Sequence, residues 1–209
     1  MNNKKLITIV GNVGTGKSTL TDLLADALPA IKVPADSLFK INPFFPLAVQ
    51  DRARWSLTSD IWFLHERIKL SREIPDILAK ANVIVDSGLP MSYAYAHSRI
   101  GSGYFTDDEW KLYEELYNQL ITIEDQSDIV VYLHAPVPFL LERISLRGRE
   151  FEVKYYKEEY LAGLQHSIEL MIRRLKKKNV EVLSFDVSKV GFLNDVPKFN
   201  SLIEELVKI

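Results

Sequence analysis

Leu6-Ile7-Thr8-Ile9-Val10-Gly11-Asn12-Val13-Gly14-Thr15-Gly16-Lys17-Ser18-Thr19 sets the terms on which the rest of the chain is read. Its first five residues form a short, mostly β-branched run, the pattern of a buried strand. Gly11 to Ser18 fit G-x-x-x-x-G-K-[ST], a spacing that chance would place in a chain of this length on the order of 1% of the time. Beyond it Leu20, Leu23, Leu24 and Leu28 recur at helical spacing, which predicts a helix over Lys17–Leu28. A strand, a glycine loop and a helix N-terminus, in that order, make a phosphate cradle. Glycine lets main-chain N–H groups turn inward onto phosphate oxygens, and the helix terminus adds positive potential. Gly11, Asn12, Val13, Gly14, Thr15 and Gly16 would form it around a nucleoside triphosphate such as ATP. Lys17 would reach the β- and γ-phosphates, Ser18 would ligate Mg²⁺, and Thr19 would add a polar contact.

Four more segments read as buried strands: Ile31–Val33, Val83–Asp86, Ile129–Leu133 and Val180–Leu183. All five look apolar on both faces, which predicts a parallel sheet covered by helices on both sides. Helical patterns fill the gaps. Arg54–Glu73 carries Leu57, Ile61, Leu64 and Ile68, with Pro75 punctuating its end. Asp107–Ile123 opens on an acidic turn, and Glu158–Lys178 carries Leu161, Leu164, Ile168, Met171 and Leu175. The expectation is an α/β fold in one domain spanning residues 1–209.

The 209 residues are 47% apolar and 26% charged, which excludes disorder for the bulk of the chain. A net charge of −2, from 26 Lys and Arg against 28 Asp and Glu, proposes no nucleic-acid surface, and Lys176–Lys178 reads as cations closing a helix. With no cysteine, a disulfide scaffold, a thiol catalyst and a Cys-ligated metal are excluded. No apolar run is long enough for a membrane span or a signal-peptide core, so we expect a soluble, cytoplasmic protein. His65, His97, His134 and His166 show no metal-ligand spacing and read as packing or surface residues. Tyr93, Tyr95, Tyr104, Phe105 and Trp110 crowd one region, where core or subunit packing competes with stacking on a base. A GTPase would need an N-K-x-D loop, and a motor ATPase would want a strand ending in Asp-Glu. The chain has neither, and a small kinase remains.

Arg143 and Arg147 lie four apart on one helix face, Gly148 permits a break, and Arg149 follows on the next loop. Three guanidiniums so close repel unless an anion sits among them. Phosphoryl transfer provides one, because charge spreads over the equatorial oxygens of the moving group. Asp36 follows the second strand, where a carboxylate can take the proton of an attacking hydroxyl or cap a turn. Asp86 ends the third strand at the carboxyl edge of the sheet, the ligand edge of open α/β folds. There it can hold a Mg²⁺ water or cap a turn. Asp60, Leu64 and Arg67 share one helix stripe, so Asp60 faces either a substrate cleft or an ion pair.

Taken together, the cradle, Arg143-x-x-x-Arg147-Gly148-Arg149-x-x-Glu152 and Phe185-Asp186-Val187 resemble the deoxynucleoside kinases, P-loop enzymes that phosphorylate the 5′-hydroxyl of deoxynucleosides in nucleotide salvage. Arg54-Trp55, Arg67 and the stretch Gly103–Tyr113 add to the resemblance, which covers nearly the whole chain. It implies a P-loop kinase fold with a lid at about 143–158. Within it Arg143 would act on the transferring group, Arg147 and Arg149 would clamp donor phosphates, and Glu152 would bond the sugar 3′-hydroxyl. The Asp186 loop would pass the donor adenine, and Asp36 is the carboxylate nearest the family's catalytic base. It also implies a homodimer through the Asp107–Ile123 helix, whose Trp110, Tyr113, Leu116, Tyr117 and Leu120 make a wide apolar stripe.

The chain departs from the family on the acceptor side. The Asp/Glu-Arg-Ser motif reads Asp86-Ser87-Gly88, a base-reading Gln becomes Asp60, a sugar-contacting Tyr becomes Val49 and a base-reading Asp becomes Ser92. Asp60 replaces an amide by a group that only accepts, and so suits an acceptor edge rich in donors, such as the guanine N1–H and 2-amino pair, or a ring amino group. Kinases of other small molecules or nucleotides, and a non-catalytic nucleotide-binding regulator, are the alternative functions.

Overall fold

Five parallel strands lie in the order β2-β3-β1-β4-β5 in a computed structural model that describes residues 4–121, 127–191 and 195–208. They are β1 (Leu6–Gly11), β2 (Ala30–Val33), β3 (Asn82–Asp86), β4 (Ile129–His134) and β5 (Glu181–Asp186). The helices are α1 (Lys17–Ala27), α2 (Phe45–Gln50), α3 (Arg52–Leu78), α4 (Leu89–Gly101), α5 (Asp107–Leu120), α6 (Val137–Arg147), α7 (Glu150–Tyr155), α8 (Glu158–Lys177) and α9 (Val196–Lys208). A 3₁₀ segment, Ala35–Lys40, follows β2. The expected α/β fold is present, with helices on both faces of the sheet.

Alternation along β3 shows the two faces. Val83 and Val85 join Leu6, Val33 and Ile74 of α3 on one side, while Ile84 joins Leu20 and Leu24 of α1 on the other. Burial on both faces holds for β1, β3 and β4 but not, as the sequence suggested, for the edges. Ile31 of β2 is 45% exposed, and β5 buries only Leu183 fully. Fewer layers cover an edge strand, and polar side chains such as Glu181 and Ser184 keep it from pairing with another chain.

Pro75 does not end α3, which runs on to Leu78. The ring removes one i→i−4 bond, but Ile74, Ile77 and Leu78 pack against β2 and β3, and that packing holds the last turn. The sequence pattern left α4 unassigned, because Leu89, Met91, Ala94 and Ala96 are all buried and no polar face marks a helical period. α5 starts at a capping box, Thr106 and Glu109, ahead of its acidic turn. The last residues of its expected span, 122 and 123, lie outside the described residues. Its stripe is largely used within the chain. Tyr113 and Tyr117 are buried against α3 and α4, which leaves Leu112 and Leu120 outward.

The order in which strands are laid down changes sides at β1. From there β2 and β3 lie to one side, β4 and β5 to the other. Ile9 pairs with Asp86 and Gly11 with Leu133, so the ends of β1, β3 and β4 meet at one crevice.

Candidate active site

Gly11 stands where no side chain fits. A Cβ there would lie 2.4 Å from the Leu133 carbonyl oxygen of β4. Gly16, in the left-handed region at φ 88°, turns the chain into α1. The loop is tied down from within. Thr15 Oγ1 and Lys17 Nζ both donate to the Asn12 carbonyl, at 2.9 and 3.1 Å. The Asn12 side chain accepts from the Val13 N–H and donates to the Leu161 carbonyl at 2.8 Å, which fastens the loop to α8. The expected contacts are thereby divided. Val13, Gly14, Gly16, Lys17, Ser18 and Thr19 line the cavity in front of the loop, whereas Gly11, Asn12 and Thr15 brace it from behind.

That cavity has a volume of about 340 Å³, in the range of small-ligand sites. Three further groups stand near the cradle, Arg143 and Asp36 in the cavity lining and Asp86 outside it, beside Lys17 and Ser18. The Arg143 guanidinium reaches the cradle from α6, since a Cβ on Gly16 would lie 3.3 Å from Arg143 Nη2. Asp36, on the 3₁₀ segment, lines the wall. Asp86 is 4% exposed at the end of β3, and burial, followed by the Asp36 charge, pushes its carboxyl above the usual range. Lys17 and a bond with Ser18 pull the other way. Asp86 Oδ1 is buried with no hydrogen-bond partner. An under-satisfied carboxylate beside a Ser hydroxyl fits a hard, oxygen-seeking divalent cation, of the kind that keeps its waters and takes one or two protein oxygens.

The arginines after α6 meet a carboxylate. Glu152, 3% exposed on α7, pairs with Arg147 through Oε2 and with Arg149 through Oε1, the latter at 3.1 Å. Gly148, at φ 68°, makes the break between the two arginines. Phe39 lies under Arg149, and with Phe45 and Phe151 it forms an aromatic wall. Asp186 is not brought to the cavity. It caps its own turn, bonding Ser188 and Lys189 at the surface.

Away from the cradle the wall is made of side chains from α3 and α4. Asp60 faces the cavity but is paired, and its partner is Arg99 rather than Arg67. Arg67 instead donates from Nε to the Ser87 carbonyl and from Nη1 to Ser92 Oγ, both at 3.0 Å. The Tyr113 hydroxyl donates to the Ser92 carbonyl at 3.1 Å. Tyr95 and Tyr156 close this end, and burial pushes both phenols well above their usual range. Arg52, at the start of α3, stacks over Tyr160 at 4.8 Å. Tyr93 and Trp110 of the aromatic cluster pack between α4, α5 and α8 rather than on the cavity. Sequence reasoning missed Arg52, Arg99, Tyr156 and Tyr160. A signal for Arg99 existed, because Ser92, Tyr95 and Arg99, at offsets of three and seven, are one stripe of a helix. His97 bonds Ser167 across α4 and α8, and no cluster of metal-ligating side chains occurs among the described residues.

A phosphate cradle at the crevice of a parallel sheet, with cations arching over it and a closed polar recess beyond, defines a P-loop phosphotransferase. The deoxynucleoside kinase family model matches residues 7–209, and the chain belongs to that family, whose members transfer phosphoryl groups to an alcohol acceptor. It is similar to a deoxyguanosine kinase of Bacillus subtilis, 26% identical over 99% of this chain and 100% of that one. A deoxyadenosine/deoxycytidine kinase of the same organism is also 26% identical, over 98% and 92%. In fold it matches the structure of a deoxyadenosine kinase from M. mycoides with bound dCTP, with a TM-score of 0.78 and 23% identity over 98% of this chain and all of that one. No helix among the described residues is long and apolar enough to cross a membrane.

Proposed function

We propose that this protein transfers the γ-phosphoryl group of ATP to the 5′-hydroxyl of a deoxynucleoside, as a step of nucleotide salvage. The observation that carries the reading is the continuity of one cavity. It runs from Lys17 and Arg143 at the cradle, past Asp36 and Glu152, to the recess at Asp60 and Tyr95. Such a path lets a sugar hydroxyl meet a phosphate while the base stays buried.

In this reading the loop N–H groups and Lys17 hold the β- and γ-phosphates. Arg143 neutralises the charge that develops on the moving group, and Arg147 and Arg149 bind the donor from the lid, residues 143–158. Asp36 takes the hydroxyl proton, and Glu152 fixes the sugar through its 3′-hydroxyl. Ser18 and Asp86 would hold Mg²⁺, which shields phosphate charge when bound. Asp186 contributes from the rim beyond the cavity. The protein acts in the cytoplasm as a homodimer, through the outward Leu112 and Leu120 of α5. Light scattering at micromolar concentration should give twice the mass of one chain.

The deciding assay is phosphate transfer from radiolabelled ATP to a panel of deoxynucleosides. Product in at least one supports the reading. Phosphorylation of other acceptors alone, or ATP binding with transfer to nothing, overturns it.

A further inference from the structure

The recess holds a charge pair that the phosphate chemistry does not use. Arg99, in the last turn of α4, is 9% exposed, and Asp60, on α3, is 4% exposed. Arg99 Nε donates to Asp60 Oδ2 at 2.9 Å, while Nη2 stands 3.5 Å from Oδ1. A buried ion pair is a poor device for stability, because desolvating both charges consumes most of the attraction and apolar residues of equal volume do as well. This pair, moreover, is set in a cavity wall rather than in a packed core.

What the pair leaves free is specific. Arg99 spends Nε and Nη2 on Asp60, and its Nη1 edge bonds no described residue. The Asp60 carboxylate has about four lone-pair sites and gives two to Arg99, one of them at long range. A ligand therefore meets a group that only donates beside a group that only accepts. Arg67 lines the same cavity, but Ser87 and Ser92 take its Nε and Nη1 donors, and Tyr113 holds Ser92. Small side chains, Ala48, Val49, Ser59 and Ser92, leave room for two fused rings.

Bases differ in the edge they would offer. Adenine and cytosine set one amino group beside a bare ring nitrogen, which a carboxylate repels. Thymine sets a single N–H between two carbonyls. A 6-oxopurine sets a carbonyl beside an N–H, and guanine adds a 2-amino N–H on the same side, so both oxygens of a carboxylate find donors. Arginine, for its part, suits guanine O6 and N7. Resting on the deoxynucleoside kinase reading above, we propose that Arg99 and Asp60 act together as the specificity determinant for a 6-oxopurine deoxynucleoside, with Arg99 donating to O6 and Asp60 accepting from N1–H and the 2-amino group of guanine.

The test is kcat/KM of the full chain, with ATP and Mg²⁺, for the deoxynucleosides of guanine, hypoxanthine, adenine, cytosine and thymine. Guanine should lead. Hypoxanthine, which lacks the 2-amino group, should fall by ~10-fold, the usual effect of one hydrogen bond to a charged group, and adenine and cytosine should fall further. Asp60→Asn keeps the volume and a bond to Arg99 but turns one acceptor into a donor. It should lower guanine by ~100-fold while leaving KM for ATP unchanged. Transfer to no deoxynucleoside overturns the proposal together with the kinase reading. Transfer that favours adenine, cytosine or thymine overturns the proposal alone, as does an Asp60→Asn profile parallel to the wild type. If Asp60→Asn does not fold, the wild-type order of guanine, hypoxanthine and adenine decides.

Discussion

The two ends of the cavity are built from different material. At the cradle the contacts come from main chain, held by bonds inside the loop itself. The Asn12 carbonyl receives Thr15 and Lys17 within one run of eight residues, and the Asn12 side chain adds one long-range tie, to Leu161 of α8. At the recess the contacts come from side chains on α3 and α4, and each is held by another side chain or a distant carbonyl. The cradle can lose a side chain and keep its shape. A change in the recess removes the partner of a neighbour. Phosphate, the same in every nucleotide, suits the first construction, and a variable acceptor suits the second.

Four changes would break or sharpen that contrast. Lys17→Ala should abolish transfer while circular dichroism and Tm stay close to wild type, since one bond to the Asn12 carbonyl is lost and the loop keeps its others. A variant that unfolds would show that the cradle depends on its lysine. Arg143→Ala should lower kcat by ~10³-fold with a smaller change in KM for ATP, the effect of a cation that acts on transition-state charge. A rise in KM alone would make it a ground-state clamp.

Asp86→Asn should raise Tm in the absence of Mg²⁺ and nucleotide by about 2–4 °C, the shift that ~1 kcal/mol gives in a domain of this size. The sign follows from the direction of its pKa. Asp86 titrates higher in the fold than in the unfolded chain, so the fold binds the proton more tightly. The contribution of Asp86 is complete below its unfolded pKa, and it is lost as pH rises through the raised folded value. Wild-type Tm should carry this titration, and Asp86→Asn should lack it. An unchanged profile would mean that the buried carboxylate carries no penalty. The smallest effect belongs to Asp186→Asn, whose side chain bonds, among the described residues, Ser188 and Lys189 of its own turn. KM for ATP should change by less than ~3-fold, within the range of surface substitutions. A larger rise would bring its loop to the donor after all.

How far each end could be read from sequence follows from the same contrast. The strand, loop and helix of the cradle are contiguous, and the glycine spacing states the backbone geometry outright. The central strands were equally plain, because burial on both faces leaves an unbroken apolar run. β5 is legible as a strand too, but not its exposed face, since an edge strand carries Glu181 and Ser184 among its apolar residues. The Asp60–Arg99 pair joins residues thirty-nine apart through a helix that is buried nearly all round, polar residues included, so neither period nor motif announces α4. Asp60 stands out as an anomaly on an apolar stripe, but helical spacing points only to residues of its own helix and not to Arg99. Pro75 misled because the packing of Ile74, Ile77 and Leu78 outweighs a local signal.

Gly11 joins two requirements that mutagenesis usually tries to separate. Its missing side chain admits the Leu133 carbonyl of β4 and begins the turn toward phosphate, with the two strands already in register at that point. Any substitution there must push β1 and β4 apart before it alters a single ligand contact. Position 11 therefore has no separation-of-function allele. A genetic screen for inactive but folded protein should recover Lys17 and Arg143 and leave Gly11 blank.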